Sequence, residues 1–192
     1  MSKLRFMQVP EGARTLIDVR TLGRFDIHIG GAPLRFARRA PQRTLQLLGA
    51  LTAHGGRSIS VGTIADLLWP DAEGFDAERA FTTTLHRLRR LLGVAEAVHL
   101  VAGQVWLAPE ICGVDAWRLE KALRSAANPD EVAEALELYE GPFLADDPSP
   151  WALAARARLD RLVAGARQLL VRSASQSHSW RLALGTVRAA AE

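Results

Sequence analysis

The 192-residue chain is 48% hydrophobic and 23% charged, a balance that lets it bury a core, excludes a disordered chain and leaves room for one or two compact units. A single cysteine, Cys112, excludes a disulfide framework and a cysteine-based metal site, and the 5 histidines show no HxxxH or HExxH spacing, so no metal or other cofactor is expected. The net charge of +3 conceals a split, because residues 1–109 hold 14 Lys+Arg against 9 Asp+Glu while residues 110–192 hold 10 against 12.

The N-terminal stretch MSKLRFMQVPEG has no apolar run of signal-peptide length, and nothing later approaches membrane-spanning length, so a cytoplasmic chain without membrane contact is expected. Residues 16–36 read as short strands, in which Leu16 and Val19 give way to Leu22 and then to the period-two alternation of Phe25, Ile27 and Ile29. Gly30-Gly31 supplies a hairpin turn before Leu34 and Phe36 resume the pattern. This predicts a small antiparallel sheet. The glycine pair lacks a following GxGxxG helix and is not a phosphate loop.

From Pro41 the period becomes helical. Leu45, Leu48, Leu51 and Thr52 share a stripe that Gly55-Gly56 ends. The basic cluster Arg35, Arg38, Arg39 and Arg43 precedes or opens this helix, where it can meet a phosphate backbone or stand as a solvated loop. Ser60 is expected to cap a second short helix bearing Val61, Ile64, Leu67 and Leu68, which ends at Trp69-Pro70. Trp69 reads as a core anchor, and DAEGFDAE as a flexible acidic loop.

The stretch DAERAFTTTLHRLRRLLG, residues 76–93, predicts the helix on which function turns. At 100° per residue, Phe81, Leu85, Leu88 and Leu92 form a core-facing stripe. Arg79, Thr83, His86 and Arg90 lie opposite, with Thr82, Arg87 and Arg89 on the flanks, and Asp76 and Glu78 fall in the expected first turn, where the helix dipole favours them. An exposed basic and hydroxyl-bearing face suits phosphate contact and base-edge readout in a major groove. The competing reading is a solvated Arg-rich face in a chain whose only lysines are Lys3 and Lys121, as a GC-rich genome would also produce. Two helices joined by a short connection, the second basic outside, make a helix-turn-helix. Residues 98–101 and 104–107 around Ala102-Gly103 then predict a hairpin, the wing of a winged helix, without lysine or arginine.

Beyond Gly113 the pattern is helical throughout. One helix carries Val114, Trp117, Leu119 and Leu123, and a second, which Asp130 can cap, carries Val132, Ala135, Leu136 and Tyr139. After a Pro-rich stretch comes a long helix with Leu153, Leu159, Leu162, Val163, Leu169 and Leu170, followed by a helical segment SWRLALGTVRAAAE interrupted by Gly185. Such pairs resemble repeats of the tetratricopeptide type.

The order of sheet, LLGALTAHGGRSISVGTIADLLWPDA, RAFTTTLHRLRRLLG and hairpin resembles the winged helix of OmpR/PhoB-type regulators. It is closer still to the version in SARP-like regulators, which carry a bacterial transcriptional activator domain (BTAD). LWPDA and LHRLRRLLG are the specific segments, and YEGPFL with Trp151 matches the activator-domain pattern. The resemblance implies an α+β winged helix-turn-helix DNA-binding domain over residues 14–110, then an all-α TPR-like activator domain over residues 113–192, shorter than the full form. Helix 76–92 would enter the major groove of double-stranded DNA. Arg79, Arg87 and Arg89 match commonly basic DNA-contacting positions, while Thr84 and His86 fall where the family varies. The helical wheel ranks Arg79, Arg87 and Arg90 above Arg89. Trp69, Pro70, Asp71, Glu73 and Phe75 match a loop that can touch RNA polymerase, and tandem half-sites in the family imply a homodimer on DNA.

Two functions follow. The first is a sequence-specific transcriptional regulator, an activator by resemblance, whose helical half serves dimerisation or protein contacts. The second is a protein-interaction adaptor whose winged helix no longer binds DNA. No enzyme is expected, since Asp146-Asp147 are adjacent residues of a Pro-rich loop and no nucleophile elbow or P-loop is present.

Overall fold

The computed structural model describes residues 16–36, 40–72 and 74–189, with side chains described as far as Ser175. Strands β1 (Ile17–Arg20) and β2 (Asp26–Ile29) pair antiparallel, Ile17 opposite Ile29 and Val19 opposite Ile27. Ile17, Val19 and Ile27 lie in the core, whereas Leu16, the first residue of the sequence pattern, is exposed one residue before the strand, and Asp18 falls on the other face, where Arg118 meets it at 3.0 Å. Gly30 and Gly31, both at positive φ, turn the chain into β3 (Ala32–Pro33).

Helix α1 (Gln42–Ala53) departs from the single expected stripe. Leu47, Leu48, Gly49, Ala50, Leu51 and Thr52 are all buried, a pattern found when a helix is covered on more than one side. After β4 (Ile59–Ser60), the Ser60 hydroxyl accepts the Thr63 N–H at 3.0 Å and caps α2 (Val61–Leu68), as the sequence indicates. Helix α3 (Gly74–Leu92) buries Phe81, Thr84, Leu85, Leu88 and Leu92 against α1 and α2. It begins two residues before the expected start. Asp76 is therefore in the first turn, whereas Glu78 moves to the second, and Phe75 belongs to the helix rather than to a loop.

Strands β5 (Val98–Val101) and β6 (Gln104–Leu107) form the expected hairpin, with Ala102 and Gly103 at positive φ in its turn. β6 also pairs with β4, in the order β4-β6-β5.

The chain then returns to its first sheet. β7 (Cys112–Val114) lies parallel to β1, Ile17 beside Cys112 and Val19 beside Val114, in the order β3-β2-β1-β7. The Cys112 thiol is buried, and burial together with nearby Glu110 pushes its pKa up to about 12, which leaves it protonated and unreactive near neutrality.

Asp115 opens α4 (Asp115–Ser125), and its carboxylate accepts the N–H groups of Thr21 at 2.8 Å and Leu22 at 2.9 Å and the Thr21 hydroxyl at 2.6 Å. α5 (Pro129–Glu137) is capped by Asn128, whose side chain accepts the Glu131 N–H at 3.0 Å. Asp130 is not the cap, because Pro129 occupies the first helical position with its fixed φ and missing N–H, and the cap is the residue before it. α6 (Pro150–Ala189) runs unbroken through Gly185. Among its described side chains Trp151, Ala152, Ala155, Leu159 and Val163 are buried, while Leu153 and Leu169 are exposed.

Two motifs more than a hundred residues apart meet here. Gly23, just after β1, donates its N–H to the Pro142 carbonyl at 3.0 Å, and Leu144 donates its own to Thr21 at 2.8 Å. A Cβ on Gly23 would stand 2.8 Å from the Glu140 carbonyl oxygen, and one on Gly141 2.8 Å from the Gly23 Cα. The glycine of YEGPFL and the glycine of TLGRF are thus required by the same contact. One hydrophobic core runs from Ile17 of β1 through Leu88 of α3 to Val163 of α6.

Candidate nucleic-acid interface

α3 holds its outer face in place by its inner one. With Phe81, Leu85 and Leu88 locked in the core, the 3.6-residue repeat points Arg79, Thr82, Thr83, His86, Arg87 and Arg90 into solvent, and all six are exposed. The side chains of Arg79, Arg87 and Arg90 make no hydrogen bond or ion pair among the described residues. The three guanidiniums keep all their donors for an outside acceptor.

The three consecutive threonines behave differently. Thr82 donates its hydroxyl to the Glu78 carbonyl at 2.9 Å, Thr83 to Arg79 at 3.0 Å, and Thr84 to Ala80 at 2.7 Å. A hydroxyl that donates back to its own helix has no proton left for a phosphate oxygen. What Thr82 and Thr83 offer outward is a methyl group and a lone pair.

Two other sequence candidates serve the fold directly. Arg89 is half-buried, and its Nε and one terminal nitrogen donate to the Val98 carbonyl at 3.1 and 2.7 Å, tying α3 to the first residue of the wing. Arg43 donates to the Leu68 carbonyl at 2.8 Å and to the Gln46 side chain at 3.2 Å. It thereby satisfies an orphan carbonyl at the end of α2. Arg38, Arg39 and Glu73 lie outside the described residues.

The expected polymerase-contact segment is divided. Trp69 is half-buried against the core at the end of α2, and Pro70 and Asp71 are exposed in the turn that follows. Phe75 stands on α3 itself. The wing presents no lysine or arginine; its Leu100 and Val101 are exposed, and His99 packs on Trp106 with ring centroids 5.1 Å apart. Among the described residues there is no group of three or more His, Cys, Asp or Glu side chains able to hold a metal, and no helix long and apolar enough to cross a membrane.

Sequence reasoning missed the side chains that attach the helical half to α1, the helix against which α3 packs. The Trp117 indole donates to the Thr52 carbonyl at 2.7 Å and Arg158 to the Ala53 carbonyl at 3.2 Å, closing the C-terminal end of α1 from α4 and α6. Arg158 also pairs with buried Glu120, which Arg124 meets at 3.1 Å. The Glu120–Arg124 pair has ordinary i,i+4 helical spacing, but no spacing rule reveals the bonds of Trp117 to Thr52 or of Arg158 to Ala53 and Glu120, so far apart in the chain.

No protein-family model matches the sequence, and comparison with curated proteins gives no match. Among solved structures, the fold resembles that of Mycobacterium tuberculosis EmbR, determined in complex with a low affinity phosphopeptide. The TM-score is 0.54 at 18% identity, covering 90% of this chain and 47% of that one. The chain thus spans about half the length of EmbR's. At this identity the likeness is one of fold, a mixed architecture of small sheets and helices that joins a winged helix to a helical half.

Proposed function

We propose that the protein is a sequence-specific DNA-binding transcriptional regulator of the SARP-like type. In this reading residues 14–110 are the DNA-binding unit, α3 lies in the major groove, and residues 113–192 form a BTAD-like unit for dimerisation or protein contacts. The observation that carries it is the unpaired, exposed trio Arg79, Arg87 and Arg90 on a helix whose opposite face is anchored in the core. Guanidiniums without internal partners on the second helix of a helix-turn-helix suit bidentate contacts to guanine and to phosphate. The fold shared with EmbR, a SARP-family regulator, agrees with this reading.

One observation favours the adaptor reading. The wing bears no lysine or arginine, and Val101 at its tip is 60% exposed, a surface better suited to an apolar partner than to a phosphate backbone.

Selection of bound sequences from random duplex DNA, at two salt concentrations and with Arg87→Ala alongside, separates the two. The regulator reading expects an enriched motif that the substitution loses, with specific affinity reduced by about 1–3 kcal/mol. Weak, sequence-blind binding that vanishes with salt would instead leave the adaptor reading standing.

A further inference from the structure

Phe75 is 80% exposed, more than any other large apolar side chain among the described residues. An aromatic ring so open to water is free to lend its contact area to an outside partner. Its position on α3 indicates which. At 100° per residue Phe75 lies one turn before Arg79 and two turns before Thr82, inside the arc occupied by the exposed arginines and threonines rather than beside the Pro70-Asp71 turn. It is also the member of that arc nearest the helix N-terminus, the end of a recognition helix that meets base edges.

The threonines add to the same chemistry. Because Thr82 and Thr83 return their hydroxyl protons to Glu78 and Arg79, their outward apolar groups are methyls. Phe75, Thr82 and Thr83 thus set three apolar contacts among three cations. The major groove offers one apolar feature on its base edges, the C5-methyl group of thymine.

We propose that Phe75, with the methyl groups of Thr82 and Thr83, reads thymine by its methyl group, so that the preferred site combines guanines set by arginine with thymines set by this apolar strip. The inference rests on the DNA-binding reading and assigns Phe75 to DNA rather than to a protein partner.

The test uses the enriched site obtained with the unaltered chain. Each thymine in turn is replaced by deoxyuracil, which removes the methyl and keeps every hydrogen-bonding group, and affinity is measured by fluorescence anisotropy. At one or more positions the wild-type protein should bind the uracil site about fourfold more weakly. Phe75→Ala should bind the thymine and uracil versions of that position equally, with an unchanged salt slope, because no charge is altered. Phe75→Leu should keep part of the preference, and Thr82→Ser or Thr83→Ser, which delete only a methyl, should remove it at a neighbouring thymine.

The uracil scan of the wild-type protein requires no variant to fold. Indifference to uracil at every position, an enriched site without thymine, or full discrimination retained by Phe75→Ala would overturn this inference while leaving DNA binding intact. Absence of any enriched site would overturn both.

Discussion

Arg156 and Arg158, at the joint between the winged helix and the helical half, direct their N–H groups at carbonyls of their own chain. Arg156 donates to Phe143 at 2.8 Å and to Asp147 at 3.0 Å, and Arg158 donates to Ala53 while pairing with Glu120. On the open face of α3, Arg79, Arg87 and Arg90 have no such partner among the described residues. The same side chain therefore does two kinds of work in one molecule. At the joint it satisfies buried or strained backbone, including the turn at Leu144, a non-glycine residue at φ 40°. On α3 it remains available. Arginine content alone does not separate the two, because the distinction lies in which carbonyls come within reach after folding.

The joint should carry the largest stability effects. Gly23→Ala forces a Cβ to 2.8 Å from the Glu140 carbonyl oxygen at a position with φ 76°. Left-handed backbone and overpacking together should cost about 3 kcal/mol, read as a lowered midpoint in urea. An unchanged midpoint would mean that the contact between Gly23 and YEGPFL is loose. Arg158→Ala comes next. Removing one partner of a buried carboxylate is costly, but Arg124 remains on Glu120, so the expected loss is about 2 kcal/mol. Specific DNA affinity should survive at temperatures where this variant is folded. By contrast, Arg87→Ala should leave stability within about 0.5 kcal/mol while reducing affinity. If Arg158→Ala weakened DNA binding as much as Arg87→Ala, the two arginine classes would not be separable.

Much of this arrangement was legible in the sequence, in the parts where periodicity is local. The stripe Phe81, Leu85, Leu88 and Leu92, the Ser60 cap and the Ala102-Gly103 turn each depend on neighbours a few residues away, and each is present. β7 was not legible, because Cys112–Val114 is three residues long and its partner β1 lies more than ninety residues earlier. The helical start at Gly74 was hidden by the acidic, glycine-containing composition of DAEGFDAE, which read as a loop and placed Phe75 outside the helix. Which threonine hydroxyls and which arginines would be used internally was beyond a helical wheel. A wheel gives direction but not the position of the next carbonyl.

Arg89 is the intermediate case and the finest test of the distinction. It belongs to the basic helix, yet both of its bonds go to the Val98 carbonyl. Arg89→Ala should therefore behave as a joint residue at smaller scale, costing about 1 kcal/mol of stability through the loss of charge-assisted bonds at a partly exposed site. Any effect on DNA affinity should arise through the wing, whose first residue is released, and should be smaller than that of Arg87→Ala. Arg89→Lys sharpens the result, since lysine keeps the charge but not the two-pronged donor geometry. A phosphate contact would tolerate lysine, whereas the link to Val98 would not. If Arg89→Lys restored DNA affinity without restoring stability, Arg89 would be a phosphate contact rather than an anchor of the wing. If it restored neither, the residue holds the wing against α3, and the reading surface consists of the side chains that the fold leaves uncommitted.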